Sequence, residues 1–196
     1  MDCHLKQGKI VLNISMSLDG YIAGTNVTPQ QPMGDNGLLI HDWIFAGKTD
    51  EDAAILKEIV ETSGAVIIGR RTYNMAIKNA WDGVSPFNVP AFVISSSIPE
   101  RKAEGFVFIT GGIENAITEA KKVAGSKNIW VMGGATIAQQ FLKGNYLDEV
   151  NLHIAPVLLG EGIRLFEQMG NEVKKLKRTN TISTTGAIHL KFDICH

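Results

Sequence analysis

The chain has 196 residues, 44% of them hydrophobic, which suffices for one well-cored domain and is short for two. Lys and Arg number 19 against 20 Asp and Glu, so the net charge of -1 excludes the broadly basic surface that holds nucleic acid or anionic lipid. No apolar run approaches the roughly 20 residues of a bilayer span, the start lacks a signal-peptide pattern, and Cys3 and Cys195 form neither a disulfide framework nor a zinc motif; a single cytoplasmic domain over 1–196 without a metal is expected.

Lys9 to Met16 alternates Ile10, Leu12, Ile14 and Met16 with Val11, Asn13 and Ser15, a central strand with apolar groups on both faces. Ser17-Leu18-Asp19-Gly20 ends it. The stretch from Thr25 to Gly37, rich in Pro, Gln, Asn and Gly, is a long loop of the kind that covers or lines a binding site. Leu38 to Ala46 reads as a short helical or irregular piece around His41, Asp42 and Trp43. Thr49 followed by Asp50, Glu51 and Asp52 signals a helix start, with Ile55, Leu56, Ile59 and Val60 as its buried side and Gly64 as its stop.

Ala65 to Ile68 is a short, wholly apolar strand turned by Gly69-Arg70-Arg71-Thr72 into another helix. Ala91 to Ile94 is a further strand followed by Ser95-Ser96-Ser97, and Val107 to Ile109 precedes a helix with Ala116, Ile117, Ala120, Val123 and Ala124 inward. Asn128 to Met132 is a strand that Gly133-Gly134-Ala135-Thr136-Ile137 converts to a helix. The glycine pair permits a tight turn and leaves the N–H groups of the first helical turn open to an anion. Glu149 to Val157 and Ala187 to Cys195 alternate as strands, the latter closing an antiparallel hairpin with Lys174 to Thr185. His153 reads as an ordinary sheet residue, and Lys174, Lys175, Lys177 and Arg178 as a solvated face.

The resulting fold class is three-layer α/β/α, a mainly parallel twisted sheet with an antiparallel C-terminal hairpin. In such sheets ligands bind at the carboxyl ends of the strands, where the glycine, arginine and serine clusters fall. Fixed cationic forks, hydroxyl donors and helix N-termini together suit a dinucleotide. The G-x-G-x-x-G fingerprint and its acidic ribose partner are absent, whereas arginine and serine at a strand end suit the extra 2′-phosphate of NADP.

These residues resemble the dihydrofolate reductase-like superfamily, and within it the branch of the pyrimidine reductase domain of riboflavin biosynthesis and its stand-alone relatives. The resemblance is carried by Ser17-Leu18-Asp19-Gly20, Gly69-Arg70-Arg71-Thr72-Tyr73, Ser95-Ser96-Ser97, Gly133-Gly134-Ala135, and Ala155-Pro156-Val157-Leu158-Leu159-Gly160-Glu161-Gly162 with Leu165-Phe166. It implies an NADPH-dependent reductase of a small heterocyclic or carbonyl substrate. Gly69, Arg70, Arg71, Thr72, Ser95, Ser96 and Ser97 would lie near the adenosine phosphates, Gly133, Gly134, Ala135, Thr136 and Ile137 around the pyrophosphate, and Ile22 and Ala23 by the nicotinamide. A proton source is required, and the resemblance makes Asp42 the first candidate and Asp19 the second, with Trp43 positioned to stack on a flat substrate. Relatives pair through their last strands, so a homodimer is expected. Two alternatives stay open: a riboflavin-pathway reductase of a ribosylaminopyrimidine, and a non-catalytic nucleotide-binding protein of the same fold.

Overall fold

A computed structural model describes residues 8–46, 48–167 and 169–195; Cys3 lies outside these, and Cys195 is an exposed free thiol. Eight strands form one sheet, in the order β5 (Phe106–Ile109), β4 (Ala91–Ile94), β3 (Ser63–Gly69), β6 (Asn128–Gly133), β1 (Ile10–Ser17), β7 (Glu149–Ala155), β10 (Ile188–Ile194) and β9 (Leu176–Ser183). The first six are mutually parallel, and β10 and β9 run antiparallel at the edge. This is the mainly parallel sheet with a closing hairpin that the hydrophobic pattern predicts. A separate pair, β2 (Tyr21–Ala23) with β8 (Ile163–Arg164), was not legible, since two or three residues carry no periodicity.

Residues of opposite parity on each strand face opposite layers. Ile10, Leu12 and Ile14 of β1, with Ala65, Ile67, Ile129 and Val131, pack beneath α4 (Gly112–Ala124) and α5 (Ala135–Lys143) in the main core. On the other face Val66, Ile68 and Val93 meet Tyr73 of α3 (Arg70–Ala76), while Trp43 of α1 (Asp42–Phe45), Ile55 and Ile59 of α2 (Asp50–Thr62), and Ala187 close the remainder. Burying aliphatic side chains of this size contributes about 1.5–3 kcal/mol each before entropy is counted. Thr49 caps α2 through a reciprocal box with Asp52.

Three boundary expectations change. Val60 and Val123 are 43% and 50% exposed, because each falls outside the arc set by Ile55 and Ile59, or by Ala116, Ile117, Ala120 and Ala124. Gly64 lies within β3 instead of stopping α2: a Cβ there would come within 2.7 Å of Ala124 backbone, so the glycine lets α4 approach the sheet. Among the described residues no helix is long and apolar enough to cross a membrane.

Candidate functional site

The carboxyl ends of β3 and β6 are neighbours in the sheet, and their turns interlock. Thr72 Oγ1 accepts the Gly134 N–H at 2.8 Å. A Cβ on Gly69 would lie 2.7 Å from Ile137 Cγ1, so that glycine is demanded by close approach, and one on Gly134 would press on Thr72 Oγ1 at 3.3 Å. Gly133 has φ of 112°, left-handed backbone that favours glycine, and its peptide to Gly134 is cis. α5 begins with no side-chain cap; its Ala138 N–H is the first to close onto the helix, at Gly134 O. The N–H groups of Ala135, Thr136 and Ile137 precede that bond, and this end of the helix favours negative charge.

The two arginines have different surroundings. Arg70 is half-buried: its guanidinium donates to Asn74 Oδ1 (2.9 Å), Ser95 Oγ (3.2 Å) and Ser97 O (3.2 Å), and lies over Phe108. Ser95 is buried and donates to Ser97 O at 2.7 Å. Ser96 and Ser97 are exposed on the same turn. Arg71 is exposed and makes no hydrogen bond or ion pair among the described residues.

Between these turns and β2 opens a cleft of about 620 Å³. Gly69 to Thr72, Gly134 to Ile137, and Ile22 and Ala23 all line it, and Val27, Pro32 and Met33 bring in the long loop as expected. The loop is pinned by Asp35, whose carboxylate accepts from Thr25 Oγ1 (2.8 Å), Asn26 Nδ2 (2.6 Å) and Gln31 Nε2 (3.2 Å), bonds that hold it below the usual carboxylate range, Thr25 contributing most. Trp43, Trp81 and Trp130 all contribute to the walls. Gly133 and the three serines flank the cleft without lining it.

The expected acids do not stand in the cleft. Asp19 accepts from Ser17 Oγ (2.5 Å) and from the N–H groups of Leu159 (3.1 Å) and Gly160 (2.7 Å), which together, Ser17 foremost, lower its pKa to about 2. A carboxylate so held is ionised at neutral pH and ties the turn after β1 to the 156–160 loop; it is not poised to donate a proton. Asp42, half-buried at the start of α1, also lies off the cleft wall, where its neighbour His41 stands instead. No carboxylate lines the cleft among the described residues. Trp43 is 1% exposed, donates from Nε1 to Ser15 Oγ (2.9 Å), and packs its ring against His153 and His189 at 4.6 and 5.0 Å, so it forms the back of the wall and offers no free face for stacking.

His153 has the alternation of an ordinary sheet residue but surroundings that are not ordinary. His153 is a buried residue that lines the cleft, paired Nδ1 to Nδ1 with His189 at 2.8 Å, and His189 Nε2 stands 2.8 Å from Asp52 Oδ1. Burial lowers the pKa of His41 to about 4; burial, reinforced by His189, lowers that of His153 to about 3. Asp52 is pushed up by burial, but bonds from Thr49, Thr184 and His189 bring it below the usual range. These residues are 36 and 137 positions apart, so no local spacing signalled them. Among the described residues no group of three or more His, Cys, Asp or Glu is placed to hold a metal.

Comparison with known proteins places this geometry in a family. A model of the RibD C-terminal domain matches residues 8–190. The protein YwjB of Bacillus subtilis is 32% identical over 185 residues, 92% of this chain and 96% of that one. The riboflavin biosynthesis protein RibD of Corynebacterium ammoniagenes is 25% identical over 178 residues, 81% of this chain but 46% of its own length. In structure, dihydrofolate reductase from Enterococcus faecalis, solved with NADP(H), superposes with a TM-score of 0.63 at 16% identity, over 96% of this chain and 97% of that one. The fold is therefore dihydrofolate reductase-like.

Proposed function

The chain belongs to the RibD C-terminal domain family, and from that premise we propose that it is an NADPH-dependent reductase of a small heterocyclic or carbonyl substrate. The observation that carries this reading is the single cleft joining an uncapped helix start and two glycine-built turns to the apolar strand β2. The donor set fits the cofactor. The N–H groups of Ala135, Thr136 and Ile137 would hold the pyrophosphate, because α5 leaves them without side-chain partners and Gly133 and Gly134 carry no Cβ to keep it away. Arg71, with Ser96 and Ser97 nearby on the next strand end, would take the 2′-phosphate, while Arg70 braces the serine turn. Ile22 and Ala23 would give the nicotinamide an apolar floor. Bound there, the cofactor supplies a hydride; the chain supplies position, a dry cavity and a proton path.

A substrate without its own phosphate fits better than a ribosylaminopyrimidine phosphate: among the described residues the cleft-lining cations are Arg70 and Arg71, both at the cofactor end. The exposed edge strand β9 and Leu176 upon it form the surface on which we base a homodimer, checked by light scattering on the eluted protein. The function is tested by following NADPH consumption against pteridines, aminopyrimidines and small carbonyls. Turnover of one of these is expected. NADPH binding without any turnover would favour the non-catalytic reading, and turnover only of the phosphorylated ribosylaminopyrimidine would favour the riboflavin-pathway one.

A further inference from the structure

Behind the wall of the cleft, reaching it at His153, runs a line of polar groups that cofactor binding does not use. Asp52 is wholly buried. Its Oδ2 accepts from the Thr49 N–H and Oγ1, both at 2.9 Å, and its Oδ1 accepts from Thr184 Oγ1 at 2.9 Å and faces His189 Nε2 at 2.8 Å. An ionised carboxylate can only accept, so His189 Nε2 carries a hydrogen. One hydrogen then lies between the two Nδ1 atoms, 2.8 Å apart. β7 stands between β1 and β10, so the Nδ1 that reaches His189 points toward the β10 side. The other nitrogen of the His153 ring, Nε2, is not the one facing His189, and Asn13, Ile14 and Ser15 of the neighbouring β1 line the cleft together with His153. Nε2 is buried with no partner, in a residue that lines the cleft. Leaving such an atom unpaired costs about 1–3 kcal/mol; Asn13 Oδ1, His41 Nδ1 and Asn151 Oδ1 share that condition, and His153 differs from them in being joined through its other ring nitrogen to His189 and the buried Asp52.

We propose that His153 exchanges the proton with the substrate in this cleft, and that His189, its charge offset by the Asp52 carboxylate, holds that proton in reserve. This inference rests on the reductase reading. Reduction of a C=N or C=O bond adds a hydride to carbon, from the nicotinamide, and one proton to nitrogen or oxygen, from the chain. In the loaded state His189 bears hydrogens on both nitrogens, its positive charge offset by the Asp52 carboxylate. Its Nδ1–H then donates to His153 Nδ1, which places the remaining hydrogen on His153 Nε2. Transfer breaks that Nε2–H bond and forms the new N–H or O–H bond of the product, while the hydrogen on His189 Nδ1 crosses to His153 Nδ1. His153 is neutral before and after, in keeping with its burial; the charge that disappears is that of His189. Solvent supplies the next proton when the cleft is open.

The charged and titratable groups facing His153 are His41 from the turn before α1, Asp52 from α2, and His189 and Lys191 from β10, with Lys191 itself paired to Glu58 at 2.5 Å; β1 presents the neutral Ser15. Asp52 is thus the carboxylate that offsets the charge of the loaded pair, and it acts through His189. Asp52 and His189 are positioning residues, and His153 alone meets the substrate.

The test is nitrogen-15 NMR of the histidine-labelled full chain through a pH titration, without cofactor. Above neutral pH, His153 should carry its hydrogen on Nδ1 with Nε2 bare. On acidification, the two rings should take up one proton with a common midpoint, hydrogen appearing on His153 Nε2 and charge on His189. Asp52→Asn should lower that midpoint by at least one pH unit and Asp52→Glu should restore part of the shift. Thr184→Val, which removes another Asp52 contact and serves as the control for structural loss, should lower the melting temperature and leave the midpoint within about 0.3 pH units. Independent titration of the rings, or a midpoint indifferent to Asp52→Asn, overturns the relay. With an acceptor that the wild-type protein reduces, His153→Gln should lower kcat about 100-fold with KM little changed, as for loss of a general acid. An unchanged kcat overturns the donor role. If NADPH neither binds nor is consumed, the reductase reading and the donor role fall together, while the coupled titration is unaffected, so the two failures are separable.

Discussion

Replacing Gly69 by Ala tests the interlocking turns most sharply. The added Cβ would sit 2.7 Å from Ile137 Cγ1, well inside ordinary carbon contact, and Ile137 is itself 7% exposed in the main core. Either the isoleucine or the start of α5 must move. Overpacking of this sort costs about 1–3 kcal/mol, which for a chain of this length lowers the melting temperature by roughly 2–12 °C. Because Ile137 is the third residue of α5, the same displacement moves the N–H groups assigned to the pyrophosphate, and NADPH affinity should fall about tenfold, or about 1.4 kcal/mol. Ile137→Ala alone should cost about 2–5 kcal/mol by leaving a cavity. In the double variant the new methyl group enters that space, so the combined loss should be smaller than the sum by about 1–3 kcal/mol. Chemical denaturation of the four proteins with NADPH titrations alongside measures both quantities. Additive losses would refute the close approach of β3 to α5 as the reason for the glycine, and unchanged NADPH affinity would refute its link to the cradle.

Further outcomes follow from the same contacts. Arg71→Ala should leave the melting temperature within about 1 °C, because the side chain has no partner among the described residues, and should weaken NADPH at least tenfold while sparing NADH; equal losses would remove the 2′-phosphate role. Arg70→Ala should cost about 1 kcal/mol of stability by releasing Ser95 and Ser97, seen as a lower denaturation midpoint. His41 and His153 stay neutral in the fold to about pH 4 and about pH 3, whereas unfolded histidines take protons near 6.5. The unfolded state then binds more protons within that window, so stability falls with falling pH, by up to about 1.4 kcal/mol per unit for each residue. His41→Gln should flatten the slope of melting temperature against pH. Asp19, depressed to about 2 from 3.8, contributes stability that is present above 3.8 and lost as pH falls toward 2; Asp19→Asn should remove that part of the acid transition.

The sheet was legible because buried parallel strands must be apolar on both faces: Ala65 to Ile68 reads as such a run and is fully buried. The hairpin at the edge was legible from the alternation of Ala187 to Cys195 and the Thr-rich stretch that ends at Thr185-Gly186 before it, although Ile188 is 43% exposed and His189 is the buried neighbour. The two interlocked turns were legible because tight strand-to-helix turns call for glycine at known places: Gly69 meets a close approach and Gly133 a left-handed φ. What failed was the assignment of acids. Besides Ser17 two residues away, the donors that hold Asp19 are the N–H groups of Leu159 and Gly160, 140 and 141 residues away, and a sequence window shows only a turn-forming Asp before Gly20. His153 illustrates the converse: its alternation in β7 is ordinary, and its singularity arises from β10 and α2 arriving on one side of it. Val60 and Val123 differ from expectation because even in helices of 13 residues the edge of the buried arc is not determined by the hydrophobic pattern alone.

The central claim, that this cleft holds NADPH, is tested most directly by tryptophan fluorescence, since Trp43, Trp81 and Trp130 are the three tryptophans of the chain and all line the cleft. Titration with NADPH should quench their emission saturably, more tightly than NADH does, and raise the melting temperature. If millimolar NADPH neither quenches the emission nor shifts the melting temperature, the cleft is not a nicotinamide site.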